Sequence, residues 1–378
     1  MKIVFLTSSL EPSHDGVGDY TRLLAAECQR QGHQVRLIAL NDPQIEKASV
    51  PTSWEGECPH EPGGNSWRGR SPSRDQNLLR LSFNQPWSDR VRMARDFIEE
   101  FSPDFVSLQF VCYGFHPQGI DWQLPSLLKA IVAQRPVHLM FHELWIGAEK
   151  NACLKQRFIG MLQRQIILKI LHQLEVRVIH TNNPAYIALL HTHGIKATQL
   201  PLFGNIPIHE AQRQPHEGWN FGLFGTLHPI WPPEPLFSHL RETGKKIKIS
   251  HIGRLGSGQR LWREIKRDYH GVFEFQTLGE QSPETIAGFF STLDFGIATS
   301  PWELIGKSGT VAALLEQGLP VIVNRDEIHY HQWQETGYSP LLIKMGSDFP
   351  ARLAAAQPGK PHQILPDVTR QFLQDLTA

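Results

Sequence analysis

The 378 residues predict two doubly wound α/β domains facing a cleft, and three observations carry that expectation. Short apolar runs such as Ile3-Val4-Phe5-Leu6 alternate with stretches of helical periodicity, the grammar of parallel strands joined by crossover helices. The chain is too long for one ordinary core and suits two domains of about 180 residues each. Residues 201–218 turn to Pro, Gln and His without periodicity, which marks a linker, and two such halves joined by one linker leave a cleft. The expected division is 1–204, a linker at 205–218, a second domain at 219–365 and a C-terminal helix within 366–378.

Composition narrows the function classes. Lys plus Arg and Asp plus Glu both total 37, so no global field recruits nucleic acid. Cys28, Cys58, Cys112 and Cys153 lie far apart with no C-x-x-C pair, which points to a reduced cytoplasm and away from zinc or a disulfide framework. The apolar run at Met1–Leu6 is too short for a signal peptide, and no stretch approaches the length of a membrane span. Residues 155–174 alternate basic and apolar side chains at helical spacing. A packed amphipathic helix explains them, and their basic face leaves weak peripheral contact with the inner face of a membrane open.

The first half opens with a strand at 2–6, a helix at 16–31 and a strand at 34–40. Gly16-Val17-Gly18 with Asp42 is superficially a dinucleotide fingerprint, but Thr21 stands where the third glycine belongs. Residues 43–77, rich in Pro, Gly and Ser, read as a long excursion loop in which Trp54 and Trp67 pack down or touch an acceptor. Ser88 is expected to cap a helix over 89–101, and strand 105–110 delivers Tyr113 and His116 to a strand end, where open sheets hold ligands. Strand 137–141 ends at His142-Glu143, where a zinc protease is excluded because Ile146 replaces the second histidine. A histidine merely hydrogen-bonded at a strand end remains an alternative there. The second half repeats the grammar, with strands at 219–224, 248–252 and 273–277 and helices at 258–268 and 283–292.

Residues 293–323 carry the clearest chemistry. The strand Phe295–Ala298 is followed by Gly306-Lys307-Ser308-Gly309-Thr310 opening a helix that Gly318 closes. Backbone N–H groups at a helix start, the positive dipole end, a lysine and two hydroxyls together favour bound phosphate. A Walker A loop is excluded, since its first glycine falls on Pro301, while an ordinary βαβ unit with a capping serine fits the same residues. His191-x-His193 and His329-x-His331 lack convincing metal spacing and read as surface or core histidines.

Ser300-Pro301-Trp302-Glu303-Leu304-Ile305-Gly306 and Gly318-Leu319-Pro320-Val321 resemble the two ends of the nucleotide-sugar loop of GT-B glycosyltransferases, especially family 4. The opening around Gly16 and Gly18 and the strand-end His142 fall in the same order. The resemblance implies a GT-B fold whose C-terminal helix packs back on the first domain, and retaining glycosyl transfer from a UDP- or GDP-linked sugar without cofactor or essential metal. The acceptor would be a sugar, a lipid-linked or a small molecule. It places His142 and Glu303 at the donor sugar, and Asp19 and Tyr20 with Tyr113 and His116 on the acceptor side. Diphosphate falls to Gly306, Lys307, Ser308, Gly309, Thr310, Arg254, Gly16 and Gly18, and the nucleoside to Gly279, Glu280 and Glu316. Two departures stand out: Val311 replaces the second acid of the motif, leaving Glu316 as a displaced substitute, and Thr226-Leu227-His228 lacks the usual lysine. A GT-B sugar-nucleotide epimerase or phosphorylase, or a catalytically silent sugar-binding relative, are the alternatives.

Overall fold

The computed structural model describes residues 1–12, 15–43, 45, 76–209, 216–331, 333 and 338–378. Most of the 43–77 loop, with Trp54, Cys58 and Trp67, and the middle of the expected linker lie outside them.

The first sheet is built from β1 (Lys2–Thr7), β2 (Gln34–Asp42), β3 (Leu78–Ser82), β4 (Phe105–Phe110), β5 (Val137–Phe141), β6 (Val176–Thr181) and the short β7 (Thr198–Gln199). Their order is β3-β2-β1-β4-β5-β6-β7, with β1 parallel to both β2 and β4. The crossovers are α1 (Gly16–Arg30), α2 (Trp87–Phe101), α3 (Leu124–Val132), α4 (Leu154–Gln173) and α5 (Pro184–His191). Ile3, Val4, Phe5 and Leu6 are all fully buried, as expected of a parallel strand covered on both faces.

The second sheet contains β8 (Trp219–Phe224), β9 (Ile247–Ile252), β10 (Glu274–Gly279), β11 (Phe295–Ala298), β12 (Val321–Val323) and β13 (Leu342–Lys344), in the order β10-β9-β8-β11-β12-β13. Its helices are α6 (Glu234–Glu242), α7 (Gln259–Asp268), α8 (Pro283–Phe290), α9 (Gly309–Glu316) and α10 (Phe349–Ala355), and α11 (Leu365–Asp375) ends the chain. In each sheet the order reverses beside the first strand, between β1 and β4 and between β8 and β11. Crevices open at such reversals because neighbouring loops leave in opposite directions.

The chain divides into two compact units, one of 1–147, 154–180 and 372–378, the other of 148–153 and 181–371. Residues 181–209, which composition assigns to the first domain and the linker, thus lie in the second unit. Gln317 explains part of this, since its side chain donates to the Pro207 carbonyl at 2.7 Å and accepts from the His209 N–H at 3.4 Å. Two local expectations need correction. α2 starts at Trp87 behind Pro86, with no side-chain cap, so Ser88 lies inside the first turn. The loop at 302–308 is a 3-10 turn over Trp302–Lys307, and α9 begins only at Gly309, with the Ser308 hydroxyl accepting from Val311 N–H at 3.4 Å.

Candidate functional site

In the second unit the reversal between β8 and β11 forms a small crevice lined by Gly225 and Thr226 after β8, Thr299 and Ser300 after β11, and Ser308 and Thr310 at the start of α9. Gly225 has φ +73, the left-handed region that favours glycine, while a Cβ there would stand in ordinary contact with the Thr310 hydroxyl at 3.4 Å. The first N–H groups of α9 have no acceptor within the helix and carry its positive dipole end. His251, buried on β9, also lines the crevice and donates from Nε2 to the Gly225 carbonyl at 2.7 Å, while burial lowers its pKa. Sequence reasoning missed it; its signal was the polar pair Ser250-His251 between Ile249 and Ile252.

Glu303 is nearly fully buried in the 3-10 turn, and both its oxygens are used. His329 Nδ1 lies 2.9 Å from one, and the Tyr330 N–H donates to the other at 2.6 Å. His329, half-exposed and read from sequence as a surface or core histidine, therefore stands beside the expected sugar-binding acid. Tyr330 packs edge-on against Tyr186 at 6.0 Å, and burial raises its phenol, an effect partly relieved by the Lys307 charge. Gly306 has a packing reason: a Cβ would stand 2.7 Å from the Asn182 carbonyl oxygen, which places the glycine against the start of α5. Gly309 faces open space.

Four expected nucleotide-side residues, Arg254, Gly279, Glu280 and Glu316, do not line this crevice. Arg254 and Glu280 form an exposed two-point ion pair, Nε to Oε1 at 3.1 Å and Nη2 to Oε2 at 2.9 Å, and neither lines the crevice. Their loops follow adjacent strands β9 and β10, so opposite charges meet there. The carbonyl of Gly279 accepts from the Gly253 N–H at 2.7 Å. Glu316, in the last turn of α9, turns into the unit and accepts from the Ile364 N–H at 3.2 Å, with its carboxyl pushed up to about 7 by burial. It does not line the crevice either.

In the first unit His142 is buried just past the end of β5. Its Nε2 lies 2.8 Å from the Gln109 side-chain oxygen, its ring meets Tyr20 edge-on at 4.8 Å, and burial lowers its pKa to about 3. The imidazole is therefore neutral at physiological pH. Tyr20, expected on the acceptor side, is 3% exposed and belongs to the core around His142. Asp19 is paired with Arg22 on the same helix, Tyr113 is exposed, and His116 Nδ1 accepts from the Gln118 N–H at 3.1 Å. Gly18 packs on the loop after β1, where a Cβ would stand 2.8 Å from the Ser9 carbonyl oxygen, whereas Gly16 faces open space. Asp42 is fully buried and takes bonds from Arg80 at 2.8 Å and the Leu10 N–H at 3.2 Å, so it buttresses the β1 loop instead of facing a ribose.

Among the described residues no group of three His, Cys, Asp or Glu side chains is arranged to hold a metal ion. No family model and no curated protein matches this sequence. The lipopolysaccharide outer core galactosyltransferase WaaB, in its apo form, aligns over 100% of this chain and 97% of its own with a TM-score of 0.55 at 14% identity. The Anabaena protein HepE, solved in complex with UDP and glucose, aligns over 100% and 91% with a TM-score of 0.52 at 13% identity. A glycosyltransferase from Rickettsia africae aligns over 99% and 94% with a TM-score of 0.53 at 11% identity. Likeness at this level is one of fold: the chain has the GT-B fold, with two doubly wound α/β units.

Proposed function

We propose that the protein is a family 4-like glycosyltransferase that moves a hexosyl unit from a UDP- or GDP-linked donor to a sugar, lipid-linked or small-molecule acceptor, with retention and without a metal ion. The observation that carries this reading is the hydroxyl-lined crevice at the β8/β11 reversal, on a fold similar to that of HepE, whose structure contains UDP and glucose. The hydroxyls of Thr226, Thr299, Ser300 and Thr310 and the first amides of α9 are donors suited to a departing diphosphate, and Lys307 lies just before that helix. Glu303 and His329 supply an oriented acceptor and ring for sugar hydroxyls. His142, held neutral by burial, acts on the sugar through hydrogen bonding and not as a cation. Arg254 and Glu280, already paired with each other, are left out of the first set of contacts.

A cytoplasmic enzyme in peripheral contact with anionic lipid is part of the proposal. Among the described residues no helix is long and apolar enough to cross a membrane. α4 turns Leu154, Phe158 and Met161 outwards, with Lys155 and Arg157 exposed beside them, a mixture that supports such contact.

The test is release of UDP or GDP from a panel of sugar nucleotides. Glu303→Ala and His142→Ala are expected to lower turnover at least tenfold while nearly keeping nucleoside-diphosphate affinity, the loss of about one interaction made at the reacting end. EDTA should leave transfer unchanged. Full activity in either variant removes that residue from the site, and a strict magnesium or manganese requirement contradicts the metal-free reading.

A further inference from the structure

Six side chains form an unbroken hydrogen-bonded run through the first unit. Asp375 Oδ2 lies 2.9 Å from His180 Nε2, and His180 Nδ1 lies 2.9 Å from His138 Nε2. His138 Nδ1 is 2.8 Å from the Ser107 hydroxyl, which accepts from the Gln109 amide at 2.8 Å. The Gln109 oxygen closes the run, 2.8 Å from His142 Nε2. Three adjacent strands supply the members: His180 comes from β6, His138 from β5, and Ser107 and Gln109 from β4, with Ser107 directly opposite His138. Alternation along the strand puts Ser107 and Gln109 on one face, as it does His138 and His142. Asp375 comes from the last turn of α11, where Phe372 packs edge-on against His138 at 4.9 Å. The five inner members are at most 5% exposed, whereas the Asp375 side chain is 35% exposed and stays in touch with water.

Donor and acceptor chemistry gives the run one direction. An ionised carboxylate only accepts, so His180 carries its proton on Nε2, and its neutral ring accepts at Nδ1. His138 must then donate from Nε2 and accept the Ser107 hydroxyl proton at Nδ1. The Ser107 oxygen accepts from the Gln109 amide, which leaves the Gln109 carbonyl oxygen to accept from His142 Nε2–H. The opposite direction would turn a His180 lone pair towards the Asp375 carboxylate or require a buried imidazolium. Burial disfavours the latter, lowering the pKa of His138, His142 and His180 alike.

We propose that Asp375 is a positioning residue: through this relay it holds His142 as the Nε2–H tautomer, leaving Nδ1 as the ring's acceptor for a ligand hydroxyl. The last clause rests on the glycosyltransferase reading, and the tautomer assignment stands without it. Nothing in the sequence motifs requires these residues. Polar side chains in the middle of buried strands are costly unless every group is paired, and a completed network fixes the orientation of its end member.

The experiment is a two-bond proton–nitrogen correlation spectrum of the ligand-free, nitrogen-15-labelled full chain at neutral pH, with His142 assigned by its loss in His142→Gln. The wild type should show His142, His138 and His180 each protonated on Nε2 only. Asp375→Leu and Ser107→Ala, which break the relay at its end and its middle, should each shift the His142 tautomer ratio about fivefold, the worth of one net hydrogen bond. Asp375→Asn, which keeps an acceptor oxygen, should retain the wild-type pattern. His142 protonated on Nδ1 in the wild type, or an unchanged ratio in folded Ser107→Ala, overturns the proposal. Should Asp375→Leu fail to fold, the wild-type and Ser107→Ala spectra decide. Failure of the glycosyltransferase reading would appear as absent turnover with every donor and would leave these spectra decisive for the relay.

Discussion

In the middle of the first sheet stand Ser107, Gln109, His138 and His180, all but free of solvent; at similar depth in the second sheet stand Phe221, Leu223, Ile249 and Phe295, with Ser250 and His251 as polar exceptions. Phe221 and Phe295 stack at 5.0 Å, and Trp219 meets Phe295 edge-on at 5.5 Å. The second unit therefore draws its order from aromatic packing, and its crevice is a matter of backbone ends, glycines and hydroxyls at the edge of a rigid sheet. The first unit instead runs paired polar groups from Asp375 to the ring of His142. Apolar packing tolerates little loss of volume, whereas a polar run tolerates little loss of a partner.

The largest effect that can sharpen this contrast is Phe221→Ala. Removing a fully buried ring from the second core is expected to lower stability by about 3–5 kcal/mol in urea unfolding, while Ser107→Ala, which leaves partners unpaired but creates little void, should cost about 1–3 kcal/mol. Equal costs would mean that the two interiors do not differ as described.

The next effect concerns a polar group in the second unit that no relay satisfies. Burial raises the Glu316 carboxyl from 4.5 to about 7, so between those values the folded chain binds more protons than the unfolded one. Stability therefore falls as pH rises from 4.5 to 7, by a contribution on the order of 3 kcal/mol, and the penalty persists above that range. Glu316→Gln keeps an oxygen for the Ile364 N–H and removes the charge. It should unfold at higher urea than the wild type at pH 8 and converge with it near pH 4. A variant no more stable at pH 8 would show that the carboxylate is better satisfied than its burial implies.

The fold was legible because its signals are local. Apolar runs, turn glycines and helical periodicity place the strands without reference to distant residues, and the hydroxyls of the β8/β11 crevice lie in the short stretches 225–226 and 299–310. What escaped was set by partners far apart in the chain. His329 meets Glu303 across 26 residues, and His180 meets Asp375 across 195. Arg254 and Glu280 were each readable as phosphate or nucleoside ligands until adjacent strands brought them together. The resemblance places Tyr20 on the acceptor side, whereas its burial against the His142 ring depends on a residue more than a hundred positions away. One signal was present unread: His138 interrupts the otherwise apolar strand β5, and a buried histidine there needs a partner.

The most direct test of the nucleotide site is titration calorimetry of the wild type and Lys307→Ala with UDP and GDP. Saturable binding of one of them to the wild type is expected, weakened by about 1.5–3 kcal/mol in the variant, the usual worth of a charge-assisted hydrogen bond, with the unfolding midpoint unchanged. Absence of binding by both UDP and GDP, or an affinity that Lys307→Ala leaves untouched, would contradict the assignment of the α9 start to a departing diphosphate.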